Sequence, residues 1–115
     1  MKIKMRLDKE PFEKIKSGKK TVEVRLYDEK RRKIKVGDTV EFTNRFTNET
    51  LEVEITDICV YNNFEELYKH HGKKSLGYNV GDVASPADMN IYYPPEEITK
   101  YGTVALEFKL KEGEE

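Results

Sequence analysis

The stretch Gly18-Lys19-Lys20-Thr21-Val22-Glu23-Val24-Arg25 organises the chain, because it joins the end of an amphipathic helix to a strand with one charged face. The strand residues alternate, so Val22 and Val24 point to one side, and Glu23 and Arg25 to the other. The charged side, with Lys20 just before it, suits either a solvated strand face or the floor of a polar cleft. Spacing alone favours the solvated face.

The same three charged residues also have the chemistry of a catalytic site. A deprotonated Lys20 would act as a base or nucleophile. Glu23 would orient a water molecule, and Arg25 would stabilise an oxyanion. On an exposed strand, by contrast, Glu23 and Arg25 would form a surface ion pair worth about 0.2–1 kcal/mol.

Length and composition predict a single cytoplasmic domain. The chain has 115 residues, of which 37% are hydrophobic and 37% charged. We expect one domain at residues 1–110, followed by an acidic tail at 111–115. The chain lacks the run of about 18 apolar residues that a membrane span needs, and its N-terminus lacks an apolar signal core, so we expect a cytoplasmic protein. The sequence does not determine the oligomeric state, for which a monomer is favoured. The absence of glutamine beside many lysines and glutamates is typical of proteins from very hot, thermophilic sources.

Positive charge is concentrated at the start of the chain. Residues 1–35 hold 14 Lys or Arg and 6 Asp or Glu, a net of +8, whereas 36–115 hold 7 and 16, a net of −9. Such asymmetry indicates a basic binding surface. Five cations stand in one run, Lys30-Arg31-Arg32-Lys33-Ile34-Lys35. A solvated loop and a loop that contacts phosphates are equally consistent with this run.

Hydrophobic alternation predicts the regular elements. Strands are expected over residues 2–7, 21–27, 39–42, 51–60 and 104–110, with a hairpin turn at 44–48. Short helices are expected after Asp8, after Asn62 or Asn63, after Ser85 and over 95–101. We therefore predict an α+β fold, a small closed β-barrel of five or six mostly antiparallel strands, in which 21–26 is an internal strand.

The cysteine, the two histidines and the tyrosines lead to further predictions about metal binding and base stacking. Cys59 is the one cysteine and lies in an apolar run, so a buried structural thiol is expected. His70 and His71 are adjacent and would diverge on a helix, without a second ligand pair, so we predict no metal and no cofactor. Of the tyrosines in the second half, Tyr78 in a glycine-rich loop is the best candidate to stack on a base.

The octad resembles the motif Gly-x-Lys-x-x-Glu-x-Arg of the ASCH domain family, a member of the PUA-like superfamily. Gly18, Lys20, Glu23 and Arg25 fill its four fixed positions. The pair Gly37-Asp38 is similar to the family's glycine and aspartate at the start of the next strand, and 104–108 resembles its last strand. The similarity covers essentially the whole chain.

The resemblance implies a PUA-like β-barrel with a cleft lined by the motif, and RNA binding. Some compact bacterial members are amidohydrolases that deacetylate N4-acetylcytidine with a lysine, a threonine and a distant glutamate. That lysine matches Lys20, but the threonine position is Glu23 here. The distant glutamate has four possible counterparts: Glu65, Glu66, Glu96 and Glu97.

We therefore predict an RNA- or nucleotide-binding protein, with hydrolysis of an acylated nucleoside as the alternative. Lys20, Glu23 and Arg25 would be the catalytic residues of such an enzyme. The predicted binding residues are Gly18, Lys20, Glu23, Arg25, Lys30, Arg31, Arg32, Lys33, Lys35 and Tyr78. The expected partner is RNA or a nucleoside or nucleotide.

Overall fold

Strands from both ends of the chain assemble into one sheet, with short helices between them. The computed structural model describes residues 2–111, so residues 112–115 of the predicted acidic tail lie outside the described part. The elements are β1 (Lys2–Leu7), α1 (Lys9–Lys16), β2 (Val22–Leu26), α2 (Glu29–Arg32), β3 (Thr39–Asn44), β4 (Thr50–Tyr61), α3 (Phe64–His70), a 3₁₀ helix (Pro86–Ile91), α4 (Pro95–Tyr101) and β5 (Thr103–Leu110). No helix among residues 2–111 is both long enough and apolar enough to cross a membrane.

The five strands form a curled sheet, a half-barrel, in the order β1-β3-β4-β5-β2. The β1–β3 pair is parallel and the other three pairs are antiparallel. The predicted α+β fold with five mostly antiparallel strands is confirmed. The prediction that 21–26 is internal to a closed sheet is wrong, because β2 pairs only with β5 and lies at one edge. A side chain bridges the two edges, since Arg25 Nη2 donates to the carbonyl of Arg6 on β1 at 3.2 Å.

Each face of the sheet is covered by its own helix and has its own core. Phe12 and Ile15 of α1 pack on the larger cluster, which takes residues from β1, β3, β4 and β5. Phe64 and Leu67 of α3 pack on the second cluster. We call these two sides the α1 face and the α3 face. Because side chains alternate along a strand, each strand contributes to both faces.

The register of β2 places its charged residues on the α1 face. Glu23 lies opposite Leu106 and Arg25 opposite Val104, both residues of the larger cluster. Val24 lies opposite Ala105 on the α3 face. The valines of β2 therefore enter a core as predicted, but the charged side is not solvated.

One irregularity in β4 changes which side chains reach each face. The register shifts between Ile55, opposite Phe108, and Asp57, opposite Glu107. Ile55 points to the α1 face. In a regular strand, side chains two residues apart point to the same face, so Asp57 and Cys59 would also point to the α1 face if β4 had no bulge. The bulge instead places Asp57 and Cys59 on the α3 face, next to Glu107.

Gly102, between α4 and β5, has a backbone conformation that a side chain would strain. Its φ is +72°, and a Cβ there would lie 2.9 Å from the carbonyl oxygen of Tyr61. We expect Gly102→Ala to lower the free energy of unfolding by at least about 2 kcal/mol in urea denaturation. Gly72→Ala is the matched control, because no atom lies within 4 Å of its added Cβ. Equal loss in the two variants would contradict this account of Gly102.

Candidate functional site

A cleft of about 630 Å³ opens where the half-barrel is not closed, between the edge strands β1 and β2. The end of β1, one side of α1, β2 and the segments 76–82 and 88–93 form its walls. Its charged and aromatic lining residues are Arg6, Asp8, Glu10, Lys14, Lys20, Glu23, Arg25, Arg31, Arg45, Tyr68, Tyr78, Asp82, Asp88, Tyr92 and Tyr93. Six of these are cations and five are acids, so the cleft as a whole is close to neutral.

The floor of the cleft is a buried network of three charges. Glu23 Oε1 lies 3.3 Å from Lys20 Nζ. Glu23 Oε2 accepts a hydrogen bond of 2.6 Å from Arg25 Nε. Lys20 Nζ also donates to the carbonyls of Val22, at 2.8 Å, and Leu76, at 3.0 Å. The Lys20 ammonium is thus held by two backbone hydrogen bonds and by its ion pair with Glu23. Lys20 therefore joins β2 to the loop over residues 72–77.

Charge compensation keeps Glu23 and Arg25 ionised. Burial would by itself raise the pKa of Glu23, but the charges of Lys20 and Arg25 outweigh it, and the pKa of Glu23 lies below its ordinary value. Burial would lower the pKa of Arg25, yet the Glu23 carboxylate and the neighbouring Tyr93 hydroxyl raise it. Burial raises the pKa of Tyr93 even though Arg25 and Arg31 oppose this. A fixed carboxylate and a fixed guanidinium thus stand side by side at the floor.

Gly77 allows the loop to pass directly over Lys20. Its φ is +102°, and an added Cβ would lie 3.0 Å from Lys20 Cδ. The next residue, Tyr78, forms part of the wall: its hydroxyl lies 2.7 Å from Asp88 Oδ2 and 3.0 Å from the Tyr68 hydroxyl. Burial and these two partners raise the pKa of Tyr78 above its ordinary value.

The mouth of the cleft exposes apolar surface. Ile91 is 83% exposed and Tyr92 is 61% exposed. The next aromatic, Tyr93, instead stacks on Phe64 with ring centroids 5.9 Å apart. Tyr92 therefore offers an accessible ring at the edge of the site.

Five of the predicted site residues line the cleft: Lys20, Glu23, Arg25, Arg31 and Tyr78. Gly18 does not; it ends α1 with φ +84°, as a helix-terminating glycine. The basic run is not a loop throughout, because the side chain of Asp28 caps α2 by accepting from the backbone of Arg31.

The other cations of this run lie on the surface outside the cleft. Lys30 donates to the carbonyl of Lys4 at 3.2 Å. The Arg32 guanidinium lies 4.3 Å from the centre of the Tyr27 ring. Lys33 and Lys35 are exposed.

Several lining residues had no sequence signal. In β1, Arg6 alternates with apolar residues in the same way as the exposed lysines of that strand, and only the fold brings it beside Arg25. Its guanidinium forms no ion pair within the described chain, unlike Arg45, which lies 3.7 Å from Asp8. None of the four glutamates proposed as a distant catalytic carboxylate lines the cleft, which instead presents Glu10 and the aspartates among its lining residues.

A second cluster of potential ligands lies on the α3 face. Donor atoms of Cys59, His71 and Glu107 lie within 4.8 Å of one another. Cys59 is half-buried, so the expected full burial of this thiol is wrong; the bulge in β4 turns it toward Asp57 and Glu107 instead of the larger core. None of the three residues of the cluster lines the cleft.

Comparison with known proteins gives a consistent picture. The family model of the ASCH domain matches residues 5–112. The chain is 37% identical in sequence to hypothetical protein PH0355. The crystal structure of that protein matches with a TM-score of 0.82 over 96% of this chain and 100% of that chain. Protein PF0455 from Pyrococcus furiosus is 37% identical, with a TM-score of 0.73 over 98% and 100%. The ASCH structure from Zymomonas mobilis, 19% identical with a TM-score of 0.63 over 96% and 67%, shares the fold. No curated protein sequence matches the chain.

Proposed function

We propose, since the chain belongs to the ASCH domain family, that it binds single-stranded RNA and takes one unstacked nucleotide into the cleft. The observation behind this proposal is the buried Lys20–Glu23–Arg25 network at the floor of a cleft with an aromatic mouth. The volume of the cleft, about 630 Å³, falls in the range of small-molecule binding sites.

The floor suits the edge of a base. Bases present hydrogen-bond donors and acceptors together, and Glu23 and Arg25 offer an acceptor and a donor side by side. Both groups are fixed in place before a ligand arrives, which reduces the entropic cost of binding. The exposed ring of Tyr92 would stack on the same base or its neighbour, while Tyr78 forms the wall beside it.

Phosphates would be contacted at the rim and outside the cleft. Most cations of the cleft already have carboxylate partners, so the cleft alone supplies little net charge. Arg6 has no ion pair within the described chain and lies beside Arg25. The exposed cations around α2 extend this basic surface away from the mouth, and the strand of RNA would follow them.

We expect replacement of Lys30, Lys33 and Lys35 with glutamine to weaken RNA binding and to flatten its dependence on salt. For every phosphate that the variant no longer neutralises, the slope of log K against log salt should fall by about 0.7. The measurement is fluorescence anisotropy with a mixed-sequence single-stranded oligoribonucleotide at two salt concentrations. The control replaces Lys19, Lys74 and Lys109, which are exposed elsewhere. An unchanged slope in the first variant would exclude the α2 surface.

Deacetylation of N4-acetylcytidine is the chemical alternative, because Lys20 and Glu23 are adjacent on the cleft floor. We expect the purified protein to release little or no cytidine from this substrate. Lys20 donates to two backbone carbonyls and pairs with Glu23, and Glu23 stands where those amidohydrolases use a hydroxyl. Turnover that Lys20→Ala abolishes and Lys19→Ala retains would establish the enzyme instead.

A further inference from the structure

We propose that Cys59, His71 and Glu107 bind a divalent metal ion of the zinc type on the α3 face of the sheet. The site is separate from the cleft, and the proposal does not depend on RNA binding. The mixture of a thiol, an imidazole and a carboxylate suits zinc better than magnesium or calcium, which prefer oxygen ligands.

Two neighbouring strands and the end of a helix bring the ligands together. Cys59 of β4 and Glu107 of β5 lie on the α3 face, with Sγ 3.7 Å from Oε2. His71 directly follows α3, and its Nδ1 lies 4.0 Å from the same oxygen. Ligand distances of 2.0–2.3 Å in a tetrahedral zinc site separate the donor atoms by about 3.4–3.6 Å. Small rotations of the thiol and of the partly exposed carboxylate would close the remaining gap.

The imidazole is already oriented for coordination. The Tyr61 hydroxyl lies 3.0 Å from His71 Nε2, and the Tyr61 ring packs edge-on against the imidazole. Only 7% of the His71 side chain is exposed. Metal-bound histidines are commonly fixed through their second nitrogen in this way. Here the bond to Tyr61 leaves Nδ1 directed at Glu107.

Uncompensated negative charge around the thiol favours a cation. Asp57 Oδ2 also lies 3.7 Å from Cys59 Sγ. Within residues 2–111, neither Asp57 nor Glu107 forms an ion pair with a lysine or an arginine. A divalent ion would offset the carboxylate charges and convert the thiol to a bound thiolate.

Binding would release one proton, from Cys59 Sγ, and form bonds from the metal to Sγ, His71 Nδ1 and a Glu107 oxygen. A water molecule would complete four-fold coordination. The ion would join the end of α3 to β4 and β5. Since His71 precedes the loop whose Leu76 carbonyl accepts from Lys20, the site would also stabilise the loop above the cleft.

Cobalt titration tests the proposal, because Co²⁺ replaces zinc and reports its ligands by colour. We expect one equivalent of Co²⁺ to give a thiolate-to-cobalt charge-transfer band with tetrahedral visible bands. Cys59→Ser should remove the charge-transfer band, and His71→Gln should weaken binding more than 10-fold. His70→Gln is the matched control, since His70 stacks on the Tyr61 ring without facing Glu107, and should change affinity less than about 2-fold. Tyr61→Phe should weaken binding about 10-fold.

Zinc stabilisation provides a second readout. Zinc should raise the Tm of the native protein and not that of His71→Gln, because only the folded native site would bind it. Absence of the charge-transfer band in folded native protein would overturn the proposal, as would equal cobalt affinity in native protein and His71→Gln. Circular dichroism establishes that each variant is folded before titration.

Discussion

Replacing Glu23 with glutamine is expected to destabilise the folded protein by about 3–5 kcal/mol. Glutamine has the same shape, but it leaves the charges of Lys20 and Arg25 buried without a counterion. Their side chains are only 9% and 14% exposed, so water replaces little of the lost interaction. The measurement is urea denaturation at neutral pH.

Glu66→Gln is the matched control for this prediction. Glu66 pairs with Lys69 at 3.1 Å, but the two side chains are 46% and 67% exposed, so the loss should stay below about 1 kcal/mol. A loss for Glu23→Gln as small as for Glu66→Gln would show that the network does not stabilise the fold.

The pH dependence of the free energy of unfolding is a second test of whether the Glu23 charge stabilises the fold. The pKa of Glu23 is lowered in the folded state from its ordinary value of 4.5. Its contribution is therefore complete above about 4.5 and is lost as the pH falls toward the lower folded value. Native protein should lose stability in this acid range more steeply than Glu23→Gln, and parallel curves would contradict the assignment.

Arg25→Lys should weaken RNA binding about 10–100-fold. Lysine retains the positive charge beside Glu23 but lacks the planar group that contacts Glu23 and Arg6 together and that would also contact the proposed base. Arg32→Lys is the matched control, because Arg32 lies on the surface outside the cleft and its charge acts on phosphates equally well as lysine. Its affinity should change less than about 2-fold. Equal effects of the two substitutions would indicate that charge alone determines binding.

Local patterns predicted much of the fold. Alternation located all five strands, and the side chains of Asn63 and Ser85 cap the helices that follow them. The octad located the floor of the cleft. The location in the cytoplasm, the monomeric state and a thermophilic source stay predictions.

Features that depend on tertiary contacts could not be predicted from sequence patterns. The edge position of β2 depends on strand order, which alternation does not encode. The bulge after Ile55 reverses the facing of Cys59, and only this reversal brings the thiol to His71 and Glu107. Arg6 joins the site because β1 and β2 lie at opposite edges of a curled sheet.

The most direct test of the central claim is an NMR titration of isotope-labelled protein with a mixed-sequence single-stranded oligoribonucleotide. Assigned signals report which surface the RNA contacts. The account predicts saturable shifts of the Arg25 Nε–H signal and of the backbone amides of Gly77 and Tyr92, at the floor, wall and mouth of the cleft. Shifts limited to surfaces outside the cleft, with the Arg25 signal unchanged at saturation, would contradict it.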